Sequence, residues 1–425
     1  MNPTIILAII CIILFISSIF FFPYIKIKKI QIPTYIVICS LTAIIYLIFG
    51  VVSISDAINN LTAKTAINPI KILVLFFSMT FLSTYLDELG LFSYLANLVC
   101  KKFKNKYMIF TMLFVVISIL TIFTSNDIII LTLTPFICYF AKRSKINPLP
   151  YLLMEFFAAN TLSMALIIGN PTNIYLGFNF NIDFFSYLSK MLLPSIVCAI
   201  VLFLILSVIF HKDLKGDIIC DELDVKIEDK VLIILGILFL LITIVGIALA
   251  NYINIEAYLI ALGCAIGLII TTIIINLIRR KSLKIIIGTL KRLPYALIFF
   301  LISMFIIVIA LDNKGVLEFI GKHLPKNVFL YGLLADACSN LVNNIPMSVL
   351  FTNVLKYADF NTNLVYATIV GSNLGAFMTP VGALAGIMWM NILKSHDVDF
   401  SYKKFILYGM PLSLILTAVA LLFLM

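Results

Sequence analysis

Two short runs place carboxamides, hydroxyls and a carboxylate where the surrounding sequence is apolar. One is Cys338-Ser339-Asn340-Leu341-Val342-Asn343-Asn344-Ile345-Pro346-Met347, the other Thr124-Ser125-Asn126-Asp127-Ile128. Hydrocarbon offers such groups no water, so protein, trapped water or a ligand must satisfy them. Asparagine carries both donors and an acceptor, so Asn126, Asn343 and Asn344 can present N–H to an oxyanion or C=O to a cation. Two further breaks interrupt apolar segments, at Gly169-Asn170-Pro171-Thr172-Asn173 and at Thr379-Pro380-Val381-Gly382. Proline removes a helical donor and glycine frees the backbone, so each break reads as a discontinuous helix whose loosened carbonyls can face Na⁺. Possible Na⁺ positions are therefore Asn126, Asn343 and the backbone of 169–173 and 379–382; no dedicated metal-ligand motif and no cofactor motif is present.

Asp127 is the sharpest single residue. A carboxylate at membrane depth costs at least ~2.5 kcal/mol on insertion scales and is normally functional or paired. It can carry a cation or proton, or cap the helix that starts at Ile128. Glu155 and Asp336 also lie in apolar runs, with coupling or a structural hydrogen bond as the two readings. The hydroxyls of Thr172 and Ser339 can serve a ligand or bond to the preceding turn. Cys338 beside Ser339 invites thiol chemistry, but the eight cysteines show no CxxC pairing and read as small apolar fillers.

The elements that must position these residues are membrane helices. The chain is 63% hydrophobic and 12% charged, against about a quarter charged in soluble domains. At roughly 20 residues per span, 425 residues leave room for about ten spans. The excess of 30 Lys and Arg over 20 Asp and Glu sits in short loops, where it sets orientation rather than nucleic-acid binding. Spans are expected at 3–22, 34–52, followed by a mostly polar loop to 68, and 69–86. The run 107–123 is short, and basic clusters at 101–106 and 142–145 flank it together with 128–141. Two ordinary spans joined by a tight turn would satisfy that pattern too, but the second arm is short for a crossing, so a re-entrant hairpin with its polar tip at membrane depth is the preferred reading. A broken helix over 149–177 and a span over 192–210 complete the first half.

The charged stretch 211–230 divides the chain into a first membrane repeat (1–210), a cytoplasmic linker (211–230) and a second repeat (231–425). Spans at 231–250, 256–277, 295–311 and 405–424 repeat the plan, with a second hairpin around 343–344 and a second break within 371–389. Asn160 precedes Gly169 by the same distance that Asn373 precedes Gly382, an offset of 213; Asn126 and Asn343 are 217 apart. Leu311-Asp312-Asn313-Lys314-Gly315 echoes Leu86-Asp87-Glu88-Leu89-Gly90. Matches in the same order at nearly constant offset argue for duplication. With Lys26, Lys28 and Lys29 inside, each half makes five crossings. An odd number turns the second half upside down, the plan of secondary transporters with two inverted repeats.

Ser125 to Pro135, Gly169 to Asn173, Ser339 to Met347, Gly371 to Gly375 and Thr379 to Gly382 together resemble the ion transporter superfamily, in particular its arsenite permease branch and the citrate and divalent-anion transporters. The resemblance covers nearly the whole chain. It implies an all-α integral membrane protein with two inverted repeats of five spans, each with a re-entrant hairpin and a discontinuous helix. It also implies an elevator-like movement and a homodimer. The Ser-Asn-Thr tips of the dicarboxylate members are matched only in part, because Asp127 follows Asn126 and Asn344 follows Asn343.

The expected binding set is Ser125, Asn126, Asp127, Asn160, Gly169, Asn170, Pro171, Thr172, Asn173, Ser339, Asn343, Asn344, Asn373, Thr379, Pro380 and Gly382. The expected function is secondary transport of a small inorganic or organic anion across the cytoplasmic membrane. Arsenite-type transport leads and carboxylate transport follows, coupled to H⁺ or Na⁺ or driven by membrane potential. A Na⁺/H⁺ exchanger on the same fold is the alternative. A polytopic membrane enzyme fits poorly: His211, His323 and His396 fall in loops, and there is no HExxH, Gly-x-Ser-x-Gly or P-loop.

Overall fold

The computed structural model describes residues 3–22, 24–27, 30–62, 69–218, 227, 229–358 and 361–425. Lys28, Lys29, Lys64 and much of the expected 211–230 linker lie outside them.

Among the described residues the chain is helical almost throughout, with one antiparallel pair of strands, β1 (Tyr24–Ile27) and β2 (Ile30–Pro33). The first half runs α1 (Pro3–Phe21), α2 (Thr34–Ile48), α3 (Ile54–Leu61), α4 (Pro69–Glu88), α5 (Leu91–Lys102), α6 (Lys106–Phe123), α7 (Asn126–Ser144), α8 (Leu149–Leu162), a 3-10 turn at Ile167–Gly169, α9 (Pro171–Asn179) and α10 (Phe184–Ile209). The second half repeats that order: α11 (Lys230–Ile253), α12 (Ala257–Ile278), α13 (Lys284–Lys291), α14 (Ala296–Asp312), α15 (Val316–His323), α16 (Val328–Val342), α17 (Asn344–Tyr357), α18 (Thr362–Leu374), a 3-10 turn at Gly375–Phe377, α19 (Leu384–Ser395) and α20 (Tyr402–Leu422). Packing crosses between halves in reciprocal pairs: α4 lies on α12 and α14 on α2, while α7 lies on α19 and α17 on α9.

Local chemistry explains the shared punctuation. Gly90 (φ 79°) and Gly315 (φ 70°) take the left-handed conformation that turns α4 into α5 and α14 into α15, a backbone state glycine adopts without a Cβ penalty. The polar stretch after the second span is not all loop: Ser53 accepts from the Asp56 N–H and starts α3. Its counterpart α13 lies within the basic segment 279–292. Both are single short helices, too brief to announce themselves by periodicity. His323, read as a loop residue, closes α15.

The helices carry lipid-facing surface. On α10, α11 and α12 large apolar side chains such as Leu204, Ile234, Leu238 and Ile270 are exposed along the spans. The basic segments gather at one end. Lys106 N–H donates to Gly216 O and Ile218 N–H to Lys104 O, and Asn147 Nδ2 donates to Asp213 Oδ1 at 2.9 Å. Thus α6 begins and α7 ends at the same end of the molecule, where α10 finishes. At the other end of α10, Tyr366 in the second turn of α18 donates to Ser186 O at 3.2 Å. Helices α8 and α18 therefore start from opposite ends of α10. Helices α10 and α20 run antiparallel: the rings of Phe210 and Tyr408 are 5.7 Å apart, and Cys198 Sγ lies 3.4 Å from Leu416 O.

Candidate functional site

Two helix-pair tips and two helix breaks meet in the interior of the protein. Asn160 stands eleven residues into α8, roughly 17 Å at 1.5 Å per residue, about half of a ~30 Å hydrocarbon core. Asn373 stands at the same position in α18.

In the first half, the tip of α6–α7 is pinned to α8: Asn126 Nδ2 donates to Asn160 Oδ1 at 3.0 Å. Asn126 Oδ1 is buried and has no protein partner among the described residues. Asn160 Nδ2 closes on Phe156 O, four residues back. The break after α8 folds tightly on itself. Asn170 Oδ1 caps α9 by accepting from the Thr172 N–H and Oγ1, each at 3.1 Å, and Asn173 Nδ2 donates to Ser163 O and Leu166 O. A Cβ on Gly169 would lie 2.2 Å from Ser163 O, so this approach requires glycine. Pro171 opens α9, where its missing N–H costs nothing.

In the second half the tip is strained. Asn343 has φ 74° and ψ 152°, a region that costs a non-glycine residue about 1–3 kcal/mol and persists only where neighbours over-determine it. Here Asn343 Nδ2 donates to Val381 O at 3.2 Å and the Asn344 N–H to Gly382 O at 3.0 Å. Asn340 does most to shape the second break. Its Nδ2 donates to Asp336 O and Gly375 O, both 2.9 Å, and its Oδ1 accepts from the Thr379 N–H and Oγ1. Pro380 is buried beside them, and a Cβ on Gly382 would lie 2.6 Å from Gly375 O.

Asn373 ties the halves together. Its Oδ1 accepts from Ser163 Oγ at 2.9 Å and Asn170 Nδ2 at 3.1 Å, and its Nδ2 donates to Asn173 Oδ1 at 2.6 Å and Ile369 O at 2.8 Å. Ser339 spends its hydroxyl on Ala335 O.

A cavity of about 210 Å³ adjoins the first tip. It runs from Ser125 and the half-buried Asp127, past Thr80 and Thr84 on α4, to Arg292 and Pro294 at the basic end. Arg292 bonds there to Asp87 and Glu88, closing the end of α4 on the start of α14. Beside Thr172 and Ile345 the free space shrinks to about 20 Å³, bordered by Phe76, Tyr175 and Phe305; the rings of Tyr175 and Phe305 are 5.5 Å apart. The cavity at the first tip therefore reaches toward the basic end. Helices α7, α9, α17 and α19 all begin at this depth, and helix N-termini offer unpaired N–H groups and the positive end of the dipole. No Lys, Arg or His lies in the two tips or the two breaks.

Of the sixteen expected residues, the structure bonds Asn126 with Asn160, Asn170 and Asn173 with Asn373, and Thr172 with Asn170. It sets Asn343 and Asn344 against the backbone of the 379–382 break. Ser125 and Asp127 line the cavity. Sequence reasoning missed Asn340, Ser163 and the partners of Asp336. Asn340 was findable: it stands in the same polar run, one helical turn after Asp336. Ser163 carries no such signal. Among the described residues no group of His, Cys, Asp and Glu could hold a metal, and no disulfide joins the described cysteines.

The profile of the family described as "Citrate transporter" matches residues 12–358. An arsenical pump membrane protein of Escherichia coli is 26% identical over 402 residues, covering 88% of this chain and 89% of that protein. A putative arsenical pump membrane protein of Bacillus subtilis is 24% identical over 420 residues, covering 90% and 92%. Among solved structures, the Alcanivorax borkumensis YdaH transporter superposes with a TM-score of 0.59 at 13% identity, covering 100% of this chain and 98% of that one.

Proposed function

The chain belongs to the citrate transporter family, and from that premise we propose that it moves a small anion across the cytoplasmic membrane by alternating access at the tip-and-break site, coupled to H⁺ or Na⁺. The observation that carries this reading is the start of four helices at one depth, lined by carboxamides and hydroxyls and free of fixed cations. Such N-termini attract an anion through N–H groups and dipole ends without trapping it by full charge. The opposite starting ends of α8 and α18, and the antiparallel course of α10 and α20, support two repeats of inverted sense. Exchange of arrangement between them then closes one side as the other opens. The relatives named arsenical pump membrane proteins favour an arsenite-type substrate, with a carboxylate next.

One observation favours a cation exchanger instead: Asp127 is a carboxylate on the cavity wall. The test is transport current from the reconstituted protein on a solid-supported membrane, with jumps of arsenite, citrate, succinate, sulfate, Na⁺ and H⁺. A current for one anion that vanishes in Asn126→Ala/Asn343→Ala is expected. Currents for Na⁺ or H⁺ alone would replace the anion reading with the exchanger.

A further inference from the structure

Two carboxyl groups, Glu155 and Asp336, are fully buried, and neither meets a cation among the described residues. An isolated buried carboxylate is costly, so each needs donors or a proton. Hydrogen count separates them. Glu155 has two donors for its two oxygens, Thr134 Oγ1 at 3.2 Å and Trp389 Nε1 at 3.3 Å. Asp336 has Thr417 Oγ1 at 3.0 Å, and Ser413 Oγ at 3.1 and 2.9 Å from its two oxygens. Ser413 Oγ also lies 2.9 Å from Leu374 O. A hydroxyl has one hydrogen, and three acceptors converge on that of Ser413. One more proton completes the set: the Asp336 carboxyl donates to Ser413 Oγ, Ser413 donates to Leu374 O, and Thr417 donates to the remaining carboxyl oxygen.

The place matters as much as the count. Leu374 ends α18 where the second break begins, and Asn340, one turn beyond Asp336, clamps Gly375 O and Thr379 in that break. Packing is tight enough that a Cβ on Gly375 would lie 2.8 Å from Asp336 Cα, so no water fits between them to solvate a charge. The elements packed on α16 are α1, α17, α18, α20 and the 3-10 turn. Their titratable groups are Cys11 on α1, Lys356 and Tyr357 on α17, Tyr366 on α18, and Tyr402, Lys403, Lys404 and Tyr408 on α20; α16 itself adds Tyr331 and Cys338. None of these is a partner of the carboxylate.

We infer that Asp336 is a proton-binding site, held by Ser413 and Thr417 against the end of α18, and that it loads and releases one proton as the second break moves. Loading forms one O–H bond on the carboxylate with a proton from water on one side of the membrane. Release returns it to water on the other side, with no change of oxidation state. Loss of the proton would set a charge against the Leu374 carbonyl and force the contact of α16, α18 and α20 to open, which ties the proton to the rearrangement. This rests on the transport reading and names H⁺ as its coupling ion.

The test uses the full chain on a solid-supported membrane, with acid jumps across neutrality and no anion present. A transient charge displacement is expected in wild type and in Glu155→Gln, and is lost in Asp336→Asn. Infrared spectra of the same samples should show a protonated carboxyl C=O band that titrates in wild type and is missing from Asp336→Asn. A wild-type transient in Asp336→Asn, or an unchanged band, overturns the proposal. Should Asp336→Asn not fold, Ser413→Ala and Thr417→Val keep the carboxyl but remove a holder. Each should move the pH midpoint of the band, and an unmoved midpoint in both overturns the proposal. The anion jumps are separate: a chain that ignores every anion yet loses its proton transient in Asp336→Asn keeps this site and sinks the anion reading.

Discussion

Replacing Asn373 by alanine should weaken the joint between the halves by a calculable amount. The carboxamide makes four hydrogen bonds. Two of the groups left behind have substitutes: Ser163 Oγ can still donate to Asn160 O, and Ile369 O is a helix carbonyl. Two do not. Asn170 Nδ2 has Asn373 as its donor target, and Asn173 Oδ1 keeps only Thr172 Oγ1 at 3.5 Å. A buried polar group stripped of its partner costs about 1–3 kcal/mol, so the substitution should cost about 2–6 kcal/mol, toward the low end if water enters the space. The assay is SDS-titrated unfolding of the purified protein in detergent, run as a double-mutant cycle with Asn173→Ala. Contacting residues couple by about 0.5–3 kcal/mol. A double mutant whose loss equals the sum of the two singles would refute the bond between Asn173 and Asn373, and with it the account of how the halves are joined. Asn373→Asp should be no better than alanine, because it turns the donor facing Asn173 Oδ1 into a second acceptor.

At the strained tip, Asn343→Gly should retain about 1 kcal/mol more stability than Asn343→Ala, since glycine accepts φ 74° without penalty; equal stabilities would show the strain is absent. Gly371→Ala should destabilise by about 1–3 kcal/mol or more through overpacking, because its Cβ would lie 2.1 Å from Gly332 O; an unshifted thermal midpoint would contradict that close contact of α16 and α18. Asp229 caps α11, and the Lys281 ammonium together with the Leu232 and Val231 N–H groups holds its carboxyl below the usual carboxylate range. Its contribution is complete above the unfolded value near ~3.9 and is lost as pH falls through the lower folded value. Asp229→Ala should therefore cost about 1 kcal/mol at neutral pH, and denaturation curves of the two proteins should converge in strong acid rather than in base. Cysteine placed at Thr84, in a variant lacking the eight native cysteines, should react with an impermeant maleimide from the basic face; labelling only from the opposite face would reverse the direction in which the cavity opens.

The breaks were legible because hydrocarbon makes polar residues conspicuous. Asn126, Asn343 and the Gly169 to Asn173 run stand out from their flanks, and their spacing recurs between the halves. Helices α3 and α13 were not legible, since eight residues give too little period to read. Nor were the partners. Ser163 and Asn373 meet across 210 positions, and no local pattern encodes that contact. Equivalence misled most at the carboxamides. Asn160 and Asn373 hold matching places in the repeat, yet Asn160 bonds to the tip of its own half while Asn373 bonds across to the other. A repeated sequence predicts equal residues; a single conformation gives them unequal tasks.

Trp389, which donates to Glu155 and packs in a cluster with Phe156, Phe400 and Phe405, is the one tryptophan of the chain. All tryptophan emission thus originates at a single contact between α8 and α19, the joint between the first broken helix and the second. Its indole is fully enclosed, so the emission should be blue, and it should redden or dim when α19 slides from α8 and water reaches the ring. On the alternating-access reading proposed above, the protein carries its own optical gauge of any such motion, readable without a label in the same vesicles used for the transport assay.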